Sequence, residues 1–169
     1  MNNTKQNIAP FVCGFGAAVL SIVPGLKSFT CCLIVPFAAF FSLFLEKKIN
    51  KDEQLIDYRK AVTFGLLTGL FSALFSTLFD TLLTLLTHTN DFVVTLPDTL
   101  RLISDYQLGL FMDETINVLK SMAEQIKQTG FSAFYTFTIL VSNLLINTVF
   151  GLIGGLIGMN YLNKKMSQQ

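Results

Sequence analysis

Residues Ala61 to Thr87 form a run of twenty-seven in which Asp80 is the only ionisable side chain, bracketed by Arg59-Lys60 and His88. About 20 mostly apolar helical residues cross the hydrocarbon core of a bilayer, so this run is long enough to span it with some tilt. A second run, Phe131 to Leu162, ends just before Lys164-Lys165, and residues 8–45 hold two further apolar stretches. Composition points the same way: 51% of residues are hydrophobic and 14% charged, against roughly 25% charged in soluble domains. Mean hydropathy is +0.56. The expected architecture is an all-α polytopic membrane protein, a single membrane domain over 1–169 with four transmembrane helices at about 8–24, 28–45, 61–87 and 131–162. A net charge of +1 gives no reason to expect a nucleic-acid partner. No convincing small-residue cleavage site follows the first apolar run, which is expected to be retained as a helix.

The basic residues set the threading. Segment 46–60 carries Lys47, Lys48, Lys51, Arg59 and Lys60, and the C-terminal tail carries Lys164 and Lys165. Segment 88–130 has only Arg101, Lys120 and Lys127 among six acidic residues. Lys and Arg beside span ends favour the cytoplasmic side. Both termini and connector 46–60 are therefore expected inside and segment 88–130 outside, with Lys27 left in an outside turn. Ile49, Leu55, Ile56 and Tyr58 of the connector either rest at lipid headgroups or belong to a solvated link.

Pro24-Gly25 supplies a turn between the first two apolar stretches, which form a tight hairpin or a re-entrant pair. Pro36 removes a backbone hydrogen bond from the second stretch and is expected to kink it. Along the third, Thr68, Ser72, Ser76, Asp80, Thr84 and His88 recur every four residues beside a row of Gly65, Gly69, Ala73 and Thr77. The fourth repeats that spacing with Asn143, Asn147, Gly151 and Gly155, and again one register over with Gly154 and Gly158. Small residues let helix backbones approach closely and polar side chains bond across the contact. The third and fourth spans are expected to pack through Gly65, Gly69, Asn143, Asn147, Gly151 and Gly155.

Segment 88–130 is too regular for a loose loop. Thr95, Pro97 and Asp98 suggest the start of a short helix running through Tyr106. After Gly109, the residues Met112, Ile116, Leu119, Ala123 and Ile126 fall at steps of four and three, marking an amphipathic helix ended by Gly130. Its apolar stripe must be covered by the membrane surface, the rest of the bundle, a partner or a second copy.

Reactive chemistry is sparse. Asp80 is the intramembrane acid, toward the outer end of its span, where Ser76, Thr84, Thr136 or Asn143 are candidate hydrogen-bond partners. His88 is the sole histidine, which rules out a two-histidine haem within one chain. Cys13, Cys31 and Cys32 lack the spacing of a metal set and are expected to be reduced apolar residues. The Gly14-x-Gly16 pair lies in an apolar helix and suits close packing rather than a dinucleotide. No catalytic residue, cofactor or metal site is expected.

The stretch VPGLKSFTCCLIVPFAAFFSLFLEKK, the YRKAVTFGLLTGL start of the third span and the Gly-rich last span ending NYLNKK resemble the DUF4199-type small membrane proteins of Bacteroidota and Chlorobi-like bacteria. The similarity covers nearly the whole chain. It implies a bacterial inner-membrane protein without an assigned reaction, and it supplies no catalytic residue. The functional expectation is a non-catalytic accessory or scaffolding subunit in the lipid bilayer, packing against itself or other membrane subunits. The alternative is a small oligomeric channel or transporter using Asp80, Asn143 and Asn147.

Overall fold

A computed structural model describes residues 8–23, 25–50, 54–105 and 110–168, with the backbone alone at residues 31, 50, 103–105 and 110–113. Pro24, Tyr106, Gly109 and the side chains of Cys31 and Met112 therefore lie outside the described residues. The regular structure that is described is helical throughout: α1 (Ile8–Ile22), a 3-10 turn (Lys27–Phe29) leading into a π turn (Thr30–Ile34), α2 (Val35–Asn50), α3 (Tyr58–Thr87), α4 (Asp91–Asp105), α5 (Leu110–Thr129) and α6 (Ala133–Met166). Two of these, α3 and α6, are long and apolar enough to cross a membrane. The 15-residue α1 rises only about 22 Å, less than the ~30 Å hydrocarbon core. By length and composition two helices could span a membrane, where the sequence suggests four.

Helical structure also claims most of the expected connector 46–60. Glu46 to Asn50 continue α2 and Tyr58 to Lys60 open α3, so that residues 54–57 alone are described as non-helical there. The expected irregularity at Pro36 takes a definite form. Proline lacks an N–H and its ring crowds the carbonyl four residues back; just ahead of it the chain widens into the π turn, in which the Val35 N–H bonds to the Thr30 carbonyl. Helical geometry of one kind or another therefore runs unbroken from Lys27 to Asn50.

The chain forms two compact units, one of Met1–Phe79 with Leu140–Gln169 and the other of Asp80–Ile139. In the first unit, α1 and α2 pack as a hairpin. Phe11 and Phe15 of α1 interleave edge-on with Phe71, Phe75 and Phe79 of α3 at centroid distances of 5.2–5.8 Å, and the ascending order on both helices makes them parallel. Offset T-shaped contacts of this kind suit the ring quadrupole. Gly154 lies on the backbone of Pro36 and Gly158 on Phe40, so α2 and α6 are parallel to each other. Ala61 faces Gly155 and Gly65 faces Gly151, which makes α3 antiparallel to α6. Chain direction therefore alternates through the four helical segments of this unit.

In the second unit, α4 starts at Asp91 rather than at Thr95. The cap is Asn90, whose Oδ1 accepts the Val93 N–H at 3.0 Å, with Asp91 as an acid in the first turn; together they satisfy the exposed helix start better than the Thr95 hydroxyl. Pro97 lies inside the helix. The apolar stripe of α5 is covered from within this unit: Leu119, Met122, Ala123 and Ile126 meet Val93, Leu96 and Tyr135. Gly130 then adopts φ +72°, and a Cβ there would lie 2.7 Å from the Leu85 carbonyl oxygen. Only glycine meets both demands at that turn.

Candidate functional site

The polar residues of α3 are the hub of the first unit. Ser21 of α1 and Ser76 share a hydrogen bond of 3.2 Å, Thr68 donates to Ser42 of α2 at 3.1 Å, and Asn143 of α6 donates through Nδ2 to Thr77 at 2.9 Å. Thr68 and Ser42 also bond to helix carbonyls of their own elements, Phe64 and Ala39. Ser72, between these contacts, is fully buried, and its hydroxyl has no partner among the described residues.

The six glycine and asparagine positions divide as follows. Gly65, Gly69, Gly151 and Gly155 bring the α3 and α6 backbones together: a Cβ built on Gly151 would sit 2.5 Å from the Gly65 carbonyl oxygen, and one on Gly155 would sit 2.6 Å from that of Ala61. Gly69 abuts the backbone of Asn147, whose side chain is buried. Asn143 joins the seam through Thr77. Gly14 also lies at a close approach, against Phe71 and the Thr68 carbonyl, whereas Gly16 has open space around it. The Gly14-x-Gly16 pair thus contributes one packing position, not two.

Asp80 belongs to the second unit. Its Oδ2 accepts a hydrogen bond from the Tyr135 hydroxyl at 3.1 Å, a partner absent from the sequence-based candidates. Thr84 does reach residue 80, but it donates to the backbone carbonyl, at 2.7 Å, as a helical hydroxyl does when it bonds back one turn. The Phe92 ring lies 5.5 Å from that of Tyr135. His88 ends α3 with φ +54°, its N–H bonding to the Thr84 carbonyl at 2.9 Å; a left-handed residue just past a helix is a standard stop, more often glycine.

A third polar group closes the charged end of the first unit. Glu46, nearly fully buried, pairs with Lys60 at 2.8 Å. The Asn163 amide grips the backbone of Ile56 twice, accepting its N–H at 2.8 Å and donating to its carbonyl at 3.0 Å. Lys47 donates to the Gln54 carbonyl and touches Met166. Ile56 is thereby seated with Leu43, Ala61, Phe64 and Leu162 in the apolar cluster below.

Chemically, these groups hold helices to one another. Among the described residues, no three His, Cys, Asp or Glu side chains stand close enough to hold a metal ion. Ser21 with Ser76, Thr68 with Ser42 and Asn143 with Thr77 pair across helices, and the grooves on the exterior of this unit are lined by other, apolar residues.

The family model described as "Protein of unknown function (DUF4199)" matches residues 7–160. The chain belongs to this family. The match takes in α1 to α5 and all but the last turns of α6, so the glycine seam and the Asp80–Tyr135 pair lie inside the family region and Lys164 and Lys165 just beyond it. No curated protein and no solved structure matches this DUF4199 member.

Several positioning residues were not singled out from the sequence. The phenylalanine ladder had a usable signal, since Phe11 and Phe15 are four apart, as are Phe71, Phe75 and Phe79. Tyr135 and Asn163 carried none, because a polar residue near the end of a long apolar run does not name its partner.

Proposed function

We propose that this DUF4199 member is a non-catalytic integral membrane protein, with four membrane-inserted helical segments and both termini in the cytoplasm, serving as an accessory or scaffolding subunit that packs against itself or other membrane subunits. One observation carries the membrane reading: the first unit is inverted relative to a water-soluble fold. Ser72 is 0% and Asn147 3% exposed, while Phe37 is 60% and Leu145 65% exposed. Water-soluble monomers rarely present contiguous apolar surface beyond a few hundred Å². In hydrocarbon the preference reverses, because lipid tails solvate large apolar side chains and every polar group must find its partner inside.

The alternating helix directions support four inserted segments. So does the unbroken run Lys27–Asn50, which at about 1.5 Å per residue is longer than α2 alone. The basic residues at the ends of α2 and α6 and the start of α3 support a cytoplasmic placement of that end, and the family resemblance supports the bacterial inner membrane. The subunit reading is supported by what remains outside. The glycine rows are consumed between α3, α2 and α6, so a partner helix would meet large side chains such as the exposed row Leu66, Leu70 and Leu74 of α3 instead.

Three measurements test this proposal. In a background lacking Cys13, Cys31 and Cys32, an impermeant thiol reagent applied to intact cells should label Ser121→Cys and spare Ser167→Cys; the opposite pattern overturns the topology. Native mass measurement after mild extraction should give an assembly heavier than one chain with its lipids, and a bare monomer would remove the subunit reading. A cation flux through reconstituted wild type that vanishes in Asp80→Asn would favour the channel alternative.

A further inference from the structure

A groove of about 530 Å³ runs between α2 and α6, walled by Pro36, Phe37 and Phe40 on one side and Ile157 and Tyr161 on the other, with Gly154 at its floor. Its existence depends on Gly154, which brings the α6 backbone onto that of Pro36 and adds no side chain to fill the cleft. The two helices are parallel, and both walls continue into cations at the same end. On α2 the face of Phe40 passes through Phe44 to Lys48, each four residues on; on α6 Ile157 leads to Tyr161 and then to Lys164 and Lys165. The contact of Lys47 with Met166 holds these two ends side by side.

We propose that this groove binds one anionic phospholipid, an acyl chain lying along Phe37, Phe40 and Ile157 and the phosphate held by Lys48, Lys164 and Lys165. The proposal rests on the membrane reading above and adds a ligand to it. Charge complementarity selects the occupant. Lys48, Lys164 and Lys165 are exposed, whereas the buried Glu46 beside them is paired with Lys60. Over segments 46–60 and 164–165 together, seven Lys and Arg face four Asp and Glu. A zwitterionic lipid offers no net charge to that excess, and a free anion would leave the apolar groove unused. Tyr161 lies at the junction of groove and cations, its ring edge-on to Phe40 at 5.7 Å, where an aromatic with a polar tip meets the headgroup level.

The test uses the full-length protein, extracted in mild detergent and titrated with phosphatidylglycerol or phosphatidylcholine of identical chains, with bound lipid counted by native mass spectrometry. The expected result is a single retained phosphatidylglycerol at on the order of tenfold lower concentration than phosphatidylcholine. The triple variant Lys48→Gln, Lys164→Gln, Lys165→Gln changes exposed side chains only and should abolish the preference. Ile157→Trp, which fills the cleft from an exposed position, should weaken retention of both lipids. Equal retention of the two lipids by the wild type overturns the proposal, as does an unchanged preference in the triple variant or undiminished binding in Ile157→Trp. Flotation with phosphatidylcholine vesicles separates the two claims: protein that floats yet shows no lipid preference loses only this site, and protein that fails to float loses the membrane reading as well.

Discussion

Adding one methyl group at Gly151 asks how closely α3 and α6 really approach. Its Cβ would lie 2.5 Å from the Gly65 carbonyl oxygen and 3.0 Å from Gly69 Cα, against about 3.5–4.0 Å for a relaxed contact. The backbones must therefore separate by roughly 1 Å, which forfeits between a quarter and a half of the dispersion attraction of the atoms along the seam. Overpacking of this kind costs about 1–3 kcal/mol. Replacing a helical glycine by alanine returns about 0.5–1 kcal/mol of backbone entropy, so Gly151→Ala should destabilise by a net ~0–2.5 kcal/mol. Gly16→Ala provides the reference, because nothing lies within 4 Å of its Cβ position; it should stabilise by about 0.5–1 kcal/mol. The entropy term cancels in the comparison, leaving a difference of ~1–3 kcal/mol that reports the close approach alone. Unfolding both variants by titration with a denaturing detergent in mixed micelles, followed by circular dichroism, measures that difference. Equal shifts for Gly16→Ala and Gly151→Ala would refute the packing of α3 on α6 through glycine.

Other substitutions probe the remaining contacts. Tyr135→Phe removes the donor to Asp80 and should cost about 1–3 kcal/mol in the same titration, since hydrogen bonds to charged groups fall in that range; Asp80→Asn keeps an acceptor for Tyr135 and should lose less, with assembly size unchanged. His88→Gly should stabilise the chain by about 1 kcal/mol, because the left-handed conformation at φ +54° is costly for a residue with a Cβ; a loss of stability would show that the imidazole makes a contact worth more than the strain. Ser72→Ala deletes a buried hydroxyl without a partner among the described residues and should be neutral or stabilising by up to about 1 kcal/mol, read from the same midpoints.

Much of the helical plan was legible because two periodicities survive in the residues themselves. The four-residue rows of α3 and α6 could be read directly, as could the end of α5 at Gly130, where a polar-to-apolar stripe stops at a residue suited to positive φ. What the rows could not reveal is which neighbour each would meet. Gly151 and Gly155 face α3 while Gly154 and Gly158 face α2, an assignment set by three-dimensional packing. The sequence points to a later start for α4 because Thr95 and Pro97 imitate a helix start; Asn90, the cap in the structure, follows His88 in a turn whose geometry the sequence does not announce. Similarly, Asp80 stood out as the charge in an apolar run, yet Tyr135 lies 55 residues away, and no local pattern links the two. The π turn before Pro36 shows how a disruption that sequence registers only as a missing donor is absorbed by the backbone.

In the membrane reading, large apolar side chains on the first unit face lipid while the exposed face of α5 meets water. Nitroxide labels at Phe37, Leu145 and Ile157, and at Glu124 of α5, can be compared in protein reconstituted into vesicles, by measuring the relaxation caused by dissolved oxygen and by a water-soluble nickel chelate. High oxygen and low chelate accessibility are expected at Phe37, Leu145 and Ile157, and the reverse at Glu124. Chelate accessibility at Leu145 equal to that at Glu124 would contradict the membrane reading.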